Sequence, residues 1–149
     1  MLKETGKVKK KQPSISALKK KAWVVFSQYI RMRDCLKTTG SLDYGKCITC
    51  GRLVGITRAD AGHFISRRFN STLFDERNVH LQCKQCNAFG GQPLEYRRQI
   101  IKLYGEGADV ELEDKAIEIR KFTPRDLIDL TEYYKNKVRE FATHCNKEV

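Results

Sequence analysis

The sequence predicts an α+β chain in which a small cysteine-stapled centre with a short β-hairpin is flanked by an N-terminal helix and C-terminal helices. Three observations predict it. Cys47-Ile48-Thr49-Cys50-Gly51 and Cys83-Lys84-Gln85-Cys86-Asn87 form two CxxC pairs separated by thirty-two residues. Apolar residues recur at three- and four-residue steps on both sides of them. Short apolar runs broken by glycines lie between them. A CxxC knuckle turns two sulfurs toward one point, and two knuckles supply the four thiolates of a closed tetrahedral zinc site. A disulfide pair or an iron–sulfur cluster is the alternative use of such spacing.

In chain order, residues 1–13 (MLKETGKVKKKQP) have no apolar period and read as a flexible basic arm that orders on DNA. Residues 14–149 read as a single domain. An N-terminal helix over 14–34 carries the stripe Ile15, Leu18, Ala22, Val25, Phe26, Tyr29, with Lys19, Lys20, Arg31 and Arg33 off it. Trp23, beside the stripe, reads as a packing anchor rather than a base-stacking platform. Residues 36–46 read as a loop. The centre occupies 47–91, with Arg52–Thr57 as a strand turning back on Ala61–Ile65 and 69–77 as a connecting loop. A helix beginning at Asn87 is interrupted by Gly90, Gly91 and Pro93. The helical part, 92–149, holds a helix at 93–104 stopped by Gly105, a charged helix at 111–120, and a last helix capped by Thr123-Pro124-Arg125-Asp126. The stripe of that last helix, Leu127, Leu130, Thr131, Tyr134, Val138, Phe141 and Cys145, packs on the domain or on a second copy. Cys35 and Cys145 read as packed residues outside the metal centre.

The 149 residues are 40% hydrophobic, which suits one domain plus a tail. No apolar run approaches the roughly 20 residues that span a bilayer, and no signal-peptide core follows the lysines, so a cytosolic protein is expected. The net charge of +11 is uneven: residues 1–21 carry eight Lys and one Glu, whereas 103–149 carry eleven acidic residues against eight basic. A basic arm and centre point to a polyanion as partner, held by counterion release, although a lysine-rich arm also serves solubility alone.

Hydrolysis of a phosphodiester requires a base for water, a divalent cation to offset charge, and donors that hold the phosphate. The loop between the knuckles has all three. His63 is the candidate base, Asp60 and Asn87 are hard oxygen donors suited to Mg²⁺, and Arg67, Arg68 and Lys84 are candidates for gripping a DNA strand. A lone histidine on a hairpin serves as readily as an ordinary hydrogen-bonding residue.

Gly62-His63, Asn78 five residues before Cys83, and Cys86-Asn87, set between two CxxC pairs, resemble the HNH, or ββα-metal, nucleases, whose centre is treble-clef-like. The blocks KCITCG, DAGHFISRRFN and NVHLQCKQCN resemble more narrowly the NinG/Rap family of phage recombination nucleases. The resemblance extends less specifically to the N-terminal helix, Tyr96 and Gly105. It implies an endonuclease dependent on Mg²⁺ or Mn²⁺, beside one structural Zn²⁺ on Cys47, Cys50, Cys83 and Cys86, that cuts Holliday junctions and D-loops in the bacterial host cytoplasm. His63 is then the general base, Asn78 the residue that holds the loop and orients it, and Asn87 a ligand of the catalytic cation. Many HNH enzymes carry a metal-binding Asp or His directly before the base. Here that residue is Gly62, and Asp60, Asp75, Glu76 or water is left to fill the place. His80 contacts phosphate or metal, or else shapes the knuckle.

Three functions therefore stand at this level: a structure-selective DNA endonuclease, a zinc-stabilised nucleic-acid-binding module without catalysis, and a zinc-stabilised protein-interaction domain. The resemblance further implies a homodimer, because the family cuts junctions symmetrically.

Overall fold

Helix α1 (Ile15–Thr39) is the element against which the others are laid in the computed structural model, which describes residues 9–146. Residues 1–8 of the expected arm lie outside the described residues, and 9–13 are exposed chain without regular structure. Ser14 caps α1, its Oγ accepting the Ala17 N–H at 3.2 Å. The helix continues past Asp34 to Thr39, because Met32, Arg33, Asp34 and Cys35 are all buried and hold another turn in place. Thr38 and Thr39 return their hydroxyls to the carbonyls of Asp34 and Cys35, and Gly40, at φ 75°, closes the helix by donating to Leu36 O.

The strands pair differently from the sequence reading. β1 (Tyr44–Lys46), inside the expected loop, pairs antiparallel with β2 (Leu53–Gly55), so the first knuckle is the turn of its own hairpin. After a 3₁₀ turn at Ile56–Arg58, β3 (Ala59–His63) pairs with β4 (Val79–Cys83) in the register Ala59↔Cys83 to His63↔Val79. The predicted pairing of 52–57 with 61–65 is thus replaced by two separate ribbons. The physical reason lies in α1. β4 is buried along its whole length, and its backbone is met by a buried ion pair of that helix. Arg33 donates to Val79 O, and Leu81 N donates to Asp34 Oδ2, both at 2.8 Å. β1 is drawn equally close. A Cβ on Gly45 would stand 2.8 Å from Leu81 Cδ1 and 3.0 Å from Cys35 Sγ, an approach only glycine permits.

Residues 69–77 contain a single helical turn, α2 (Asn70–Leu73), and α3 (Lys84–Ala88) starts at the second knuckle rather than at Asn87. Gly90 and Gly91, both at positive φ, end it as expected. α4 (Pro93–Tyr104) stops at Gly105 as expected, but the charged helix α5 spans Ala108–Ala116 instead of 111–120. Gly107 starts it in the left-handed region, Asp109 and Glu111 favour its N-terminus, and Arg97 holds Asp109 at 2.6 Å. α6 (Pro124–Cys145) opens with a full capping box between Thr123 and Asp126. Its stripe lies on α1: Tyr134, with Leu130, Val138 and Phe141, packs against Phe26 and Tyr29, which settles its partner as the same chain. Leu127 joins Leu18, Ala22, Leu73 and Phe122, while Tyr96, Ile100, Ala108 and Leu112 form a separate cluster under α4 and α5. Cys35, fully buried, packs with Ala59 and Leu81, and Cys145 is partly exposed.

Candidate metal and catalytic centre

The two knuckles converge. Cys47 and Cys50 sit in the β1–β2 turn, where Gly51 N donates to Cys47 O and takes φ 72°. Cys83 ends β4 and caps α3, its Sγ accepting from Cys86 N. The four sulfurs lie within 4.8 Å of one another, and Cys50 Sγ is 3.8 Å from Cys83 Sγ. Tetrahedral Zn–S bonds of about 2.3 Å require sulfurs about 3.8 Å apart, so the donor set fits zinc in both chemistry and spacing. Among the described residues these cysteines are the one group of three or more His, Cys, Asp or Glu gathered closely enough to hold a metal. Burial works against the Cys47 thiolate, but hydrogen bonds from Thr49 and neighbouring backbone outweigh it and bring its pKa down to about 6.

His63, the last residue of β3, faces α1. Its ring stacks on Trp23 with centroids 4.9 Å apart, and its Nε2 lies 3.1 Å from Leu73 O. A carbonyl only accepts, so Nε2 carries the proton and Nδ1 keeps its lone pair. Burial, reinforced by the Arg67 charge, pushes the His63 pKa down to about 4 against the opposing Leu73 hydrogen bond. Asn78 is fully buried and braces the segment that carries Leu73. Its Oδ1 accepts from Ile65 N at 2.7 Å, and its Nδ2 donates to Ile65 O and Thr72 O.

Asp60 and Asn87 meet: Asn87 Nδ2 donates to Asp60 Oδ2 at 3.1 Å, and Lys84 Nζ takes Asp60 Oδ1 at 2.8 Å. Lys84, assigned to DNA from sequence, is therefore held by the carboxylate. Asp60 and His63 stand three residues apart on one strand, so their side chains leave opposite faces of it. The alternatives to Asp60 are committed elsewhere. Asp75 pairs with Lys115 at 2.7 Å, and Glu76 accepts the hydroxyls of Tyr29 and Tyr134.

His80 is a correction to the DNA contacts. It is 3% exposed, with Tyr96 Oη at 3.2 Å from Nδ1 and Tyr104 Oη at 2.7 Å from Nε2. Because Tyr96 spends its proton on Gly62 O, Nδ1 of His80 must donate and Nε2 must accept from Tyr104. Burial drives its pKa down to about 3, and the neutral ring fastens α4 to β4 out of reach of a ligand strand. Arg67 and Arg68 are exposed, over the rings of Trp23 and Phe69 at 5.3 and 4.8 Å. Arg67, Lys19, Lys20 and Trp23 line one cleft of about 360 Å³ beside Leu73. Sequence reasoning missed Trp23 as the neighbour of the histidine and Gln82 altogether. Periodicity places Trp23 only on a helix face, and Gln82 has no spacing signal of its own.

Among the described residues, the fold and centre define a mixed α+β chain of two small ribbons and six helices, built around a four-cysteine site able to hold a metal. A family profile described as "Bacteriophage Lambda NinG protein" matches residues 3–144, and the chain belongs to this NinG family. It is 41% identical over 69 residues to Protein ninG of Escherichia phage 933W and of Salmonella phage P22, covering 45% of this chain and 34% of each relative. Against Protein ninG of Escherichia phage lambda it is 39% identical over 69 residues, or 45% of this chain and 33% of that protein. The aligned stretch thus spans about a third of the length of these relatives. No solved structure matches. Among the described residues no helix is long and apolar enough to cross a membrane.

Proposed function

We propose that the chain is a metal-dependent, structure-selective DNA endonuclease of the HNH type, acting on branched recombination intermediates such as Holliday junctions and D-loops. The observation that carries this reading is the state of His63: its Nε2 proton is committed to Leu73 O, its Nδ1 keeps the lone pair, and Asn78 braces the loop responsible. β3, β4 and α3 beside the cysteine centre supply the strands and helix of a ββα unit, in treble-clef style, with Zn²⁺ on Cys47, Cys50, Cys83 and Cys86. Nδ1 of His63 takes a proton from water as its oxygen attacks phosphorus in line. The P–O3′ bond breaks, the 3′ oxygen takes up a proton from solvent, and the products are a 5′-phosphate and a 3′-hydroxyl. Asp60 and Asn87 would hold a Mg²⁺ or Mn²⁺ ion, which offsets charge on the phosphorus oxygens and leaving group when bound. Their oxygens fit such a hard cation, and for it to enter Lys84 must release Asp60 Oδ1 and Asn87 Nδ2 must give up Asp60 Oδ2. The scissile phosphate then approaches the end of β3, with His63 on one face and Asp60 on the other. Arg67, Arg68 and the freed Lys84 hold the flanking backbone. Two copies acting together would cut both strands of a junction.

The test is cleavage of a labelled four-way junction and a matched linear duplex by wild type and His63→Ala, with Mg²⁺ or Mn²⁺ present and then withheld. Junction cutting that requires both the histidine and the cation is expected. Salt-sensitive binding without cutting, by zinc-loaded protein in either cation, would instead establish a non-catalytic nucleic-acid-binding module.

A further inference from the structure

Gln82 stands on β4 directly opposite Asp60 and is fully buried. Its amide has one orientation. Nε2 donates to Gly91 O at 3.0 Å and to Thr49 Oγ1 at 3.2 Å, and since Gly91 O only accepts, Oε1 points the other way. That oxygen finds no hydrogen-bond donor among the described residues. A buried polar atom without a partner is rare in a folded chain and calls for a cause.

The cause lies across the ribbon. A Cβ placed on Gly62 would stand 1.9 Å from Gln82 Oε1 and 3.1 Å from Asn87 Oδ1. A side chain at position 62 would have to push the Gln82 amide off its hydrogen bonds to Gly91 O and Thr49 Oγ1, and two amide oxygens, one from β4 and one from α3, lie beside this glycine. Asp60 leaves β3 on that same face and is tied to Asn87 by the 3.1 Å hydrogen bond. Carboxylate and amide oxygens without sulfur or imidazole select a hard divalent cation over zinc. The positive charge now beside them is the Lys84 ammonium, on a side chain 65% exposed and so free to swing away.

We propose that Gln82 Oε1 completes an oxygen-donor cradle with Asp60 and Asn87 for Mg²⁺ or Mn²⁺, supplying from β4 an oxygen that Gly62 lacks. This rests on the cation part of the proposed function and adds a third ligand to it. It also ties the two metal centres together. Thr49, which helps hold the Gln82 amide, has its own hydroxyl 3.4 Å from Cys47 Sγ, so the cysteine knuckle sets the direction of Oε1.

Titration of zinc-loaded protein with Mn²⁺, read by electron paramagnetic resonance of the free ion, tests this without any nuclease assay. Wild type is expected to bind one Mn²⁺ per chain. Gln82→Leu is expected to weaken that binding at least about tenfold, and Gln82→Glu, which adds an anionic oxygen, to tighten it. Zinc content and far-ultraviolet circular dichroism report whether each variant folds. If Gln82→Leu does not fold, Gln82→Glu decides, and an affinity equal to wild type overturns the proposal. Equal affinities of folded Gln82→Leu and wild type overturn the role of Gln82 alone and leave the cation reading standing. Absence of Mn²⁺ binding by wild type overturns both.

Discussion

His63 makes a pH-dependent demand on the fold. Its pKa of about 4, against an ordinary 6.5, means that the folded chain binds fewer protons than the unfolded chain between those values. Stability therefore rises with pH across that window and is lost as pH falls from about 6.5. Equilibrium urea unfolding should show about 2 kcal/mol less stability at pH 5 than at pH 7.5 from this residue, a difference that shrinks in His63→Gln. The same pH loss in variant and wild type would remove His63 as its source. The low value also leaves the ring unprotonated at neutral pH, as the proposed general base requires, and on that proposal the negative charge of a bound phosphodiester would raise its basicity. Asn78 and His80 show why residue type alone misleads. Both are buried polar residues near the centre. Asn78 braces backbone around the histidine, whereas His80 spends both nitrogens on tyrosines and serves α4.

Among the elements, α1 does more than contribute an apolar stripe. Its Arg33–Asp34 pair, 2.8 Å apart and buried, supplies β4 with hydrogen bonds that a third strand would otherwise provide. Removing one partner leaves the other charge uncompensated in a low-dielectric interior. Arg33→Met should therefore cost about 3–5 kcal/mol in urea unfolding, far beyond a surface Arg such as Arg125. A loss below about 1 kcal/mol would show that β4 does not depend on this pair. The same pair explains the failure of the predicted hairpin. Alternation along 52–57 and 61–65 is compatible with either pairing, and helix α1 selects β4 as the partner of β3. α6 was legible by contrast, since its capping box, N1 proline and seven-residue stripe are local signals that tertiary packing merely uses.

At the scale of the whole molecule, small ribbons and separate apolar clusters hang on α1 and on the cysteine centre. The loop between the knuckles contains β3, α2 and β4, none long enough to persist alone. Complete removal of zinc by a strong chelator should therefore abolish the native circular dichroism of this centre and let re-added Zn²⁺ restore it, because binding energy at a structural site is folding energy. A native spectrum that survives full chelation would contradict that. By itself the sequence determined the α+β class, the four converging cysteines, the Gly105 stop of α4 and the capping box of α6. All of these follow from short spacings and residue types. Only the tertiary structure decided that Trp23 stacks on His63, that Asp60 and His63 leave opposite faces of one strand, that Lys84 is paired and His80 buried, and that Gln82 turns an unpartnered oxygen toward Gly62. These depend on which strand pairs with which and which face meets α1. Such choices are set by packing between residues far apart in the chain, and that packing leaves no period in the sequence.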